Sequence, residues 1–204
     1  MTIVFSHANS FPASTYRVLF KDLRSRGFAV KAVEKFGHDA RYPVSNNWPH
    51  VVQQLVDFTQ GVLDKTGEPV WLVGHSLGGF LSLMAASRHP ELARGVLLID
   101  SPLLGGWRST AVGVMKTTQM FGSLSPGAVS QRRRNTWPTV QAAYEHFRHK
   151  KAFAKWDDAV LMDYCQHGTL EADGKRVLSF DRQVETQFYN TLPDNLEQLL
   201  ARHP

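Results

Sequence analysis

Apolar residues in the first hundred positions switch repeatedly between two spacings. TIVFSH, residues 2–7, is a β-branched and aromatic run that stops at the polar HANSFPAS, and it reads as a buried strand. Tyr16, Leu19, Phe20 and Leu23 then fall at i, i+3, i+4 and i+7, which predicts a helix. Gly27 supplies its stop, and Arg24 and Arg26 suit its negative end. FAVKAVEKF from Phe28 alternates as a second strand, and 37–49 reads as loop from its Gly, Pro and Asn content. A helix from about Pro49 to Asp64 carries Val51, Leu55, Phe58 and Val62 on one face. PVWLVGH is a third strand, LGGFLSLMAASRHP a third helix and ARGVLLID, 93–100, a fourth strand with an almost unbroken apolar centre. Strands with such centres are expected to be buried on both faces, and their alternation with helices predicts a parallel sheet with right-handed crossovers.

From Ser101 the pattern changes to successive amphipathic segments, VQAAYEHFRHKKAFAKW and DDAVLMDYCQHG among them, with one weak strand candidate near RVLSF at 176–180. The expected organisation is an α/β core over 1–102, a mainly helical unit over 103–195 joined through SPLLGGW, and the start of a return to the core over 196–204.

Composition narrows the picture modestly. A chain of 204 residues with 43% hydrophobic content can bury one substantial core. Lys and Arg exceed Asp and Glu by 23 to 18, a small excess spread along the chain, so no nucleic-acid partner is expected. The densest basic run, QRRRN at 131–135, reads as a solvated helix end or loop. The single cysteine, Cys165, rules out an intramolecular disulfide framework and favours a reducing compartment, read as the cytoplasm. No basic leader and no apolar run long enough for a membrane helix is present, so no membrane partner is expected. No cofactor or metal is implied, since there is no HExxH, no paired cysteine and no lysine after the glycines of GHSLGG.

Candidate chemistry concentrates at Gly74-His75-Ser76-Leu77-Gly78, where the third strand meets the third helix. A serine hydroxyl is a weak nucleophile unless it is lifted clear of the backbone, presented to a base and set beside donors for the oxyanion. A tight strand-to-helix turn does the lifting, and glycines two positions to either side let strand and helix approach. Ser76 is thus the candidate nucleophile, and the N–H of Leu77, at the positive helix start, a candidate oxyanion donor. His75 is expected to point away from the nucleophile and pack in the floor of the site. The competing reading of the motif is a glycine-rich turn that needs a small residue.

The run from Ile3 through Asp100, with SHANSFPAS at the first strand end and VGHSLGG at the turn, resembles the α/β-hydrolase superfamily, and the region from Ser101 to about Asn195 looks like its cap. The resemblance implies a loop after the first strand that donates a second oxyanion N–H. Here it reads His7-Ala8-Asn9, with alanine where glycine is usual, so Asn9 is the expected donor and Ser10 or Phe11 stay open. His7 is expected to hydrogen-bond nearby backbone. In that family the acid and histidine follow the serine along the chain. Asp100, at the end of the fourth strand, is the candidate acid, with a turn-capping role as the alternative.

A late histidine has no evident counterpart, and the fold is expected to be C-terminally incomplete. Truncation, degeneracy, or takeover by His146, His149, His167 or His203 would each account for this. Trp107, Phe121, Trp137, Phe147, Phe153 and Trp156 either line an acyl pocket or form the cap's own core. The resulting expectation is a serine hydrolase acting on a small-molecule ester or related acyl bond through an acyl-serine. A non-catalytic protein holding a small apolar ligand in the same pocket is the alternative.

Overall fold

The computed structural model describes residues 1–101 and 130–196. Its core is a four-stranded sheet in the order β2-β1-β3-β4, built from β1 (Thr2–Ser6), β2 (Ala29–Ala32), β3 (Val70–His75) and β4 (Ala93–Ile99). All three pairings are parallel, as the strand-helix alternation predicts. In register, Ser6 lies opposite Gly74 and Gly74 opposite Leu98, so β1, β3 and β4 end at one level. That shared carboxyl edge is where an open parallel sheet presents its loops to a ligand.

Three helices connect these strands: α1 (Arg17–Ser25), α2 (Pro49–Thr66) and α3 (Leu77–Arg88). Proline at the first position of α2 loses no hydrogen bond, and Gly67, at φ 73°, ends the helix by giving its N–H to Leu63 O. The largest core cluster lies where α2 and α3 meet the sheet, around Val4, Leu55, Leu72, Leu81 and Met84. Trp48 and Phe188 are fully buried in it, so the 130–196 region contributes directly to the core. Phe5, Phe20 and Val30 form a smaller cluster beneath α1 on the other face.

β4 departs from expectation. Leu97 is 50% and Ile99 37% exposed, and both line an apolar groove with Trp71, Val73 and Leu23. The unbroken apolar run was expected to be covered on both faces. Among the described residues, β4 is one of the two edge strands of this sheet, and the face that carries Leu97 and Ile99 is left partly open.

Residues 130–196 hold α4 (Val140–Arg148), α5 (Asp158–His167) and α6 (Arg182–Asn190), capped at their N-termini by the side chains of Thr139, Asp157 and Asp181. They also hold a small antiparallel sheet in the order β5-β7-β6, made of β5 (Thr136–Trp137), β6 (Thr169–Ala172) and β7 (Lys175–Leu178). The expected weak strand near 176–180 is therefore real and has a hairpin partner. Asp173 and Gly174 both take positive φ, 50° and 68°, the two-residue turn that matches strand twist. The Asp-Gly pair in LEADGKRVL is the signal that marks this hairpin in the sequence. Trp137, Phe147 and Tyr164, with Phe153 and Trp156 against them, form this region's own core. Of the aromatics proposed for a pocket, Trp137, Phe147, Phe153 and Trp156 are committed mainly to packing, while Trp107 and Phe121 lie outside the described residues.

Candidate active site

Ser76 takes φ 52° and ψ −114°, a backbone conformation that L-residues rarely adopt. The surroundings hold it there. Its N–H donates to Ile99 O at 2.9 Å, and its carbonyl accepts from Gly79 N at 3.0 Å and from the Ser101 hydroxyl at 2.9 Å. The flanking glycines are required by contact rather than by dihedral freedom. A Cβ on Gly74 would sit 2.1 Å from Gly78 O, and one on Gly78 would sit 2.0 Å from Ser6 O. Strand β3, helix α3 and strand β1 thus cross at backbone distance, which drives Ser76 into the sharp turn. As the first residue of α3, Leu77 has no intrahelical acceptor for its N–H.

The loop after β1 is fastened from several sides. His7 is fully buried, and its Nε2 accepts from Phe36 N at 2.9 Å. That acceptance places the ring proton on Nδ1, 2.8 Å from Ala8 O. Burial lowers the His7 pKa to about 4, so the ring stays neutral. Phe11 N closes a turn onto Ala8 O at 3.1 Å, which removes Phe11 from the candidate donors and leaves Asn9 and Ser10. The Asn9 side chain donates to Glu185 O at 3.1 Å. Ser10, at φ 75°, accepts from Arg133 Nη2 at 2.6 Å.

Arg133 corrects another expectation. It belongs to the basic run read as solvated, yet it lies 3.0 Å from the carboxylate of buried Glu185, with side chains 22% and 6% exposed. Burial pushes the Glu185 carboxyl up, and the Arg133 charge pulls it back down. Arg182 donates to the carbonyls of Gln131 and Arg133 and holds this segment against α6. Spacing alone carries no sign of the pair, because its members belong to different elements.

Asn9, Ser76, Leu77 and Asp100 all line one cavity of about 200 Å³, with Phe11, Trp48, Phe80, Phe188 and Leu192 supplying apolar wall. Asp100 closes β4 at φ 47° and is exposed. The Ser101 hydroxyl lies 2.9 Å from Ser76 O and 3.1 Å from Ile99 O, which ties the end of β4 to the turn at Ser76. The turn that the capping alternative assigns to Asp100 lies outside the described residues.

His75 is more than floor packing. It lines the cavity, and its Nδ1 lies 2.8 Å from the Tyr16 hydroxyl. Burial lowers its pKa, opposed by the charge of Asp100. Sequence reading missed Tyr16, whose helical spacing marked it only as an apolar-face residue. Among the described residues, His75 is the histidine in the lining. His146 packs against Trp137 and Phe147, His149 is exposed beside Glu145, and His167 lies near Asp163. His203 lies outside the described residues. No three His, Cys, Asp or Glu side chains among the described residues converge to hold a metal ion. No described helix is long and apolar enough to cross a membrane.

The chain is 37% identical over 60 residues to the chloroplastic pheophytinase of Arabidopsis thaliana, covering 29% of this chain and 11% of that protein. It is 24% identical over 134 residues to the monoglyceride lipase homolog of Monkeypox virus, covering 62% and 46%. The chain thus spans less than half the length of these relatives. Among solved structures, E-2-(acetamidomethylene)succinate hydrolase superposes with a TM-score of 0.70 at 19% identity, over 99% of this chain and 69% of that one. At that identity the likeness shows the fold. Residues 3–201 match the family described as the alpha/beta hydrolase family, and the chain belongs to it.

Proposed function

We propose that this protein is a serine hydrolase in which Ser76 attacks the carbonyl of a small apolar ester. The observation that carries the reading is the backbone of Ser76, strained at φ 52° and held by close crossings that glycine alone permits. Strain of this kind is kept where the surroundings over-determine it, at sites that use it. In the proposed reaction Ser76 Oγ bonds to the acyl carbon and the carbonyl oxygen becomes an oxyanion. The N–H groups of Leu77 and Asn9 stabilise that charge, a contribution worth a factor of about 10² to 10³ per donor. On collapse the bond from the acyl carbon to the leaving oxygen breaks, the proton given up by the Ser76 hydroxyl ends on that oxygen so that an alcohol departs, and water hydrolyses the acyl-serine that remains.

Asp100 is proposed as the acid that orients the base. The described lining assigns no base, since the Nδ1 of His75 is engaged by Tyr16. Residues 130–196 are proposed to roof the site as part of a cap, because Phe188, Tyr189 and Leu192 close the cavity. Pockets for drug-sized ligands run from about 300 Å³ upward, so a cavity of about 200 Å³ suits a short acyl or alkyl group. A reducing, cytoplasmic setting is proposed because the single cysteine, Cys165, has no disulfide partner within the sequence.

A fluorophosphonate probe tests the reading, alongside p-nitrophenyl butyrate hydrolysis. The expected result is labelling that disappears in Ser76→Ala. Undiminished labelling in Ser76→Ala would remove the assignment. Thermal stabilisation by butyrate esters with no labelling would favour a small-ligand-binding protein instead.

A further inference from the structure

The two proposed oxyanion donors sit on separate elements, Leu77 on the first turn of α3 and Asn9 in the loop after β1. Preorganised stabilisation of an oxyanion needs both held at a set distance from the same point before the charge develops. His7, the Asn9 side chain and Ser10 tie the loop to Phe36, to α6 and to Arg133. None of these bonds reaches the turn that carries Ser76.

Tyr16 does reach it. The residue ends a 3₁₀ turn at Ala13–Tyr16, and its hydroxyl lies 3.0 Å from Ala8 N and 2.8 Å from His75 Nδ1. Ala8 immediately precedes Asn9, and His75 immediately precedes Ser76. An amide N–H can only donate, so the hydroxyl accepts from Ala8 and has its own proton free for His75 Nδ1. The tyrosine ring is fixed in turn by Phe5, at a centroid distance of 4.7 Å, and by Phe20 at 6.1 Å. Burial raises the hydroxyl pKa, so the bridging proton stays in place.

We propose that Tyr16 is a positioning residue that sets the separation of the two oxyanion donors by bridging the Ala8 amide to the His75 ring. The proposal rests on the reading of Ser76 as nucleophile. A tyrosine that merely packed would, on losing its hydroxyl, affect planar and tetrahedral ligands alike. A positioning tyrosine affects the tetrahedral, charged species selectively.

Butaneboronic acid and butyramide separate these cases. In the boronate adduct Ser76 Oγ bonds to trigonal boron, the hydroxyl proton passes to solvent, and a tetrahedral anion forms with one oxygen at the oxyanion position. Butyramide stays planar and uncharged. The expected result with the full chain is a boronate adduct, seen by ¹¹B NMR and calorimetry, that is absent in Ser76→Ala. In Tyr16→Phe the boronate Kd rises by about tenfold or more, a fraction of what loss of a whole donor costs. The butyramide Kd changes less than about twofold.

His75→Ala breaks the same bridge from its other end. It is expected to weaken the boronate in the same direction, and Tyr16→Phe/His75→Ala to bind no more weakly than Tyr16→Phe alone, as residues acting through one interaction do. Should Tyr16→Phe fail to fold by circular dichroism, His75→Ala carries the test by the same boronate-against-butyramide comparison. Unchanged boronate binding in the single variants, equal weakening of both ligands, or additive effects in the double variant would each overturn the proposal. A wild-type chain with no Ser76-dependent adduct would instead overturn the reading of Ser76, and the proposal with it.

Discussion

The same substitution, glycine to alanine within a helix, is expected to have opposite signs at two positions. Alanine exceeds glycine in helix propensity by about 0.8–1.0 kcal/mol. At Gly61, inside α2, an added Cβ would meet nothing within 4 Å, so Gly61→Ala gains that amount. At Gly78 the Cβ would lie 2.0 Å from Ser6 O, 2.4 Å from Ser6 C and 2.8 Å from His7 O, all backbone atoms. Side-chain repacking cannot relieve contacts with backbone, so α3 must retreat from β1 by at least about 1 Å to restore ordinary separations. Overpacking costs about 1–3 kcal/mol where neighbours can give, and here they can give little, so Gly78→Ala is expected to lose about 3 kcal/mol or more. Urea unfolding of the two variants beside the wild type measures both. Because the retreat carries Leu77 away from the loop that holds Asn9, Gly78→Ala should also lose fluorophosphonate labelling under conditions where it remains folded. Equal stabilisation of the two variants would refute the close crossing of α3 over β1, and with it the account of why Ser76 is strained.

Two further outcomes follow from buried ionisable groups. His7 is held neutral in the folded chain, with a pKa of about 4 against an ordinary 6.5, so between these values the unfolded chain binds the proton and the folded one does not. Its contribution is thus complete above about pH 6.5 and lost as pH falls toward 4, about 3 kcal/mol in all. Urea midpoints from pH 7 to 4 for wild type and His7→Gln should converge on acidification, and parallel curves would contradict the assignment. Arg133→Met leaves the Glu185 carboxylate buried without its partner. Breaking a buried pair costs about 3–5 kcal/mol, and the partial exposure of Arg133 reduces this to about 2–3 kcal/mol. The double variant Arg133→Met/Glu185→Met should recover most of the loss in thermal melts, and additive losses would show that the pair is not the source.

Local pattern was enough for the first hundred residues, because a strand or helix in a parallel α/β unit must repeat its apolar positions at its own period. The turn at Ser76 was legible for a related reason: close crossing demands glycine at fixed offsets, and Gly74 and Gly78 declare it. The hairpin at 169–178 was equally local, written in Asp173-Gly174, but it stood between amphipathic helical segments that drew the reading toward helix. The exposure of Leu97 and Ile99 was not legible, since an apolar run records what a residue can bury and not whether another element arrives to cover it.

The remaining features belong to the folded chain alone. Tyr16 and His75 are 59 residues apart, and Ser10 and Arg133 are 123 apart. No periodicity links such positions, because each pair is joined by how separate elements pack. The sequence by itself determined the strands and helices of the first hundred residues, the strained serine and the loop that faces it, all of which follow from steric and hydrophobic demands acting over a few neighbouring residues. Tertiary structure decided which amides stay free, which histidine touches the cavity and which arginine is buried, because hydrogen bonds and desolvation depend on neighbours that only the fold brings within reach.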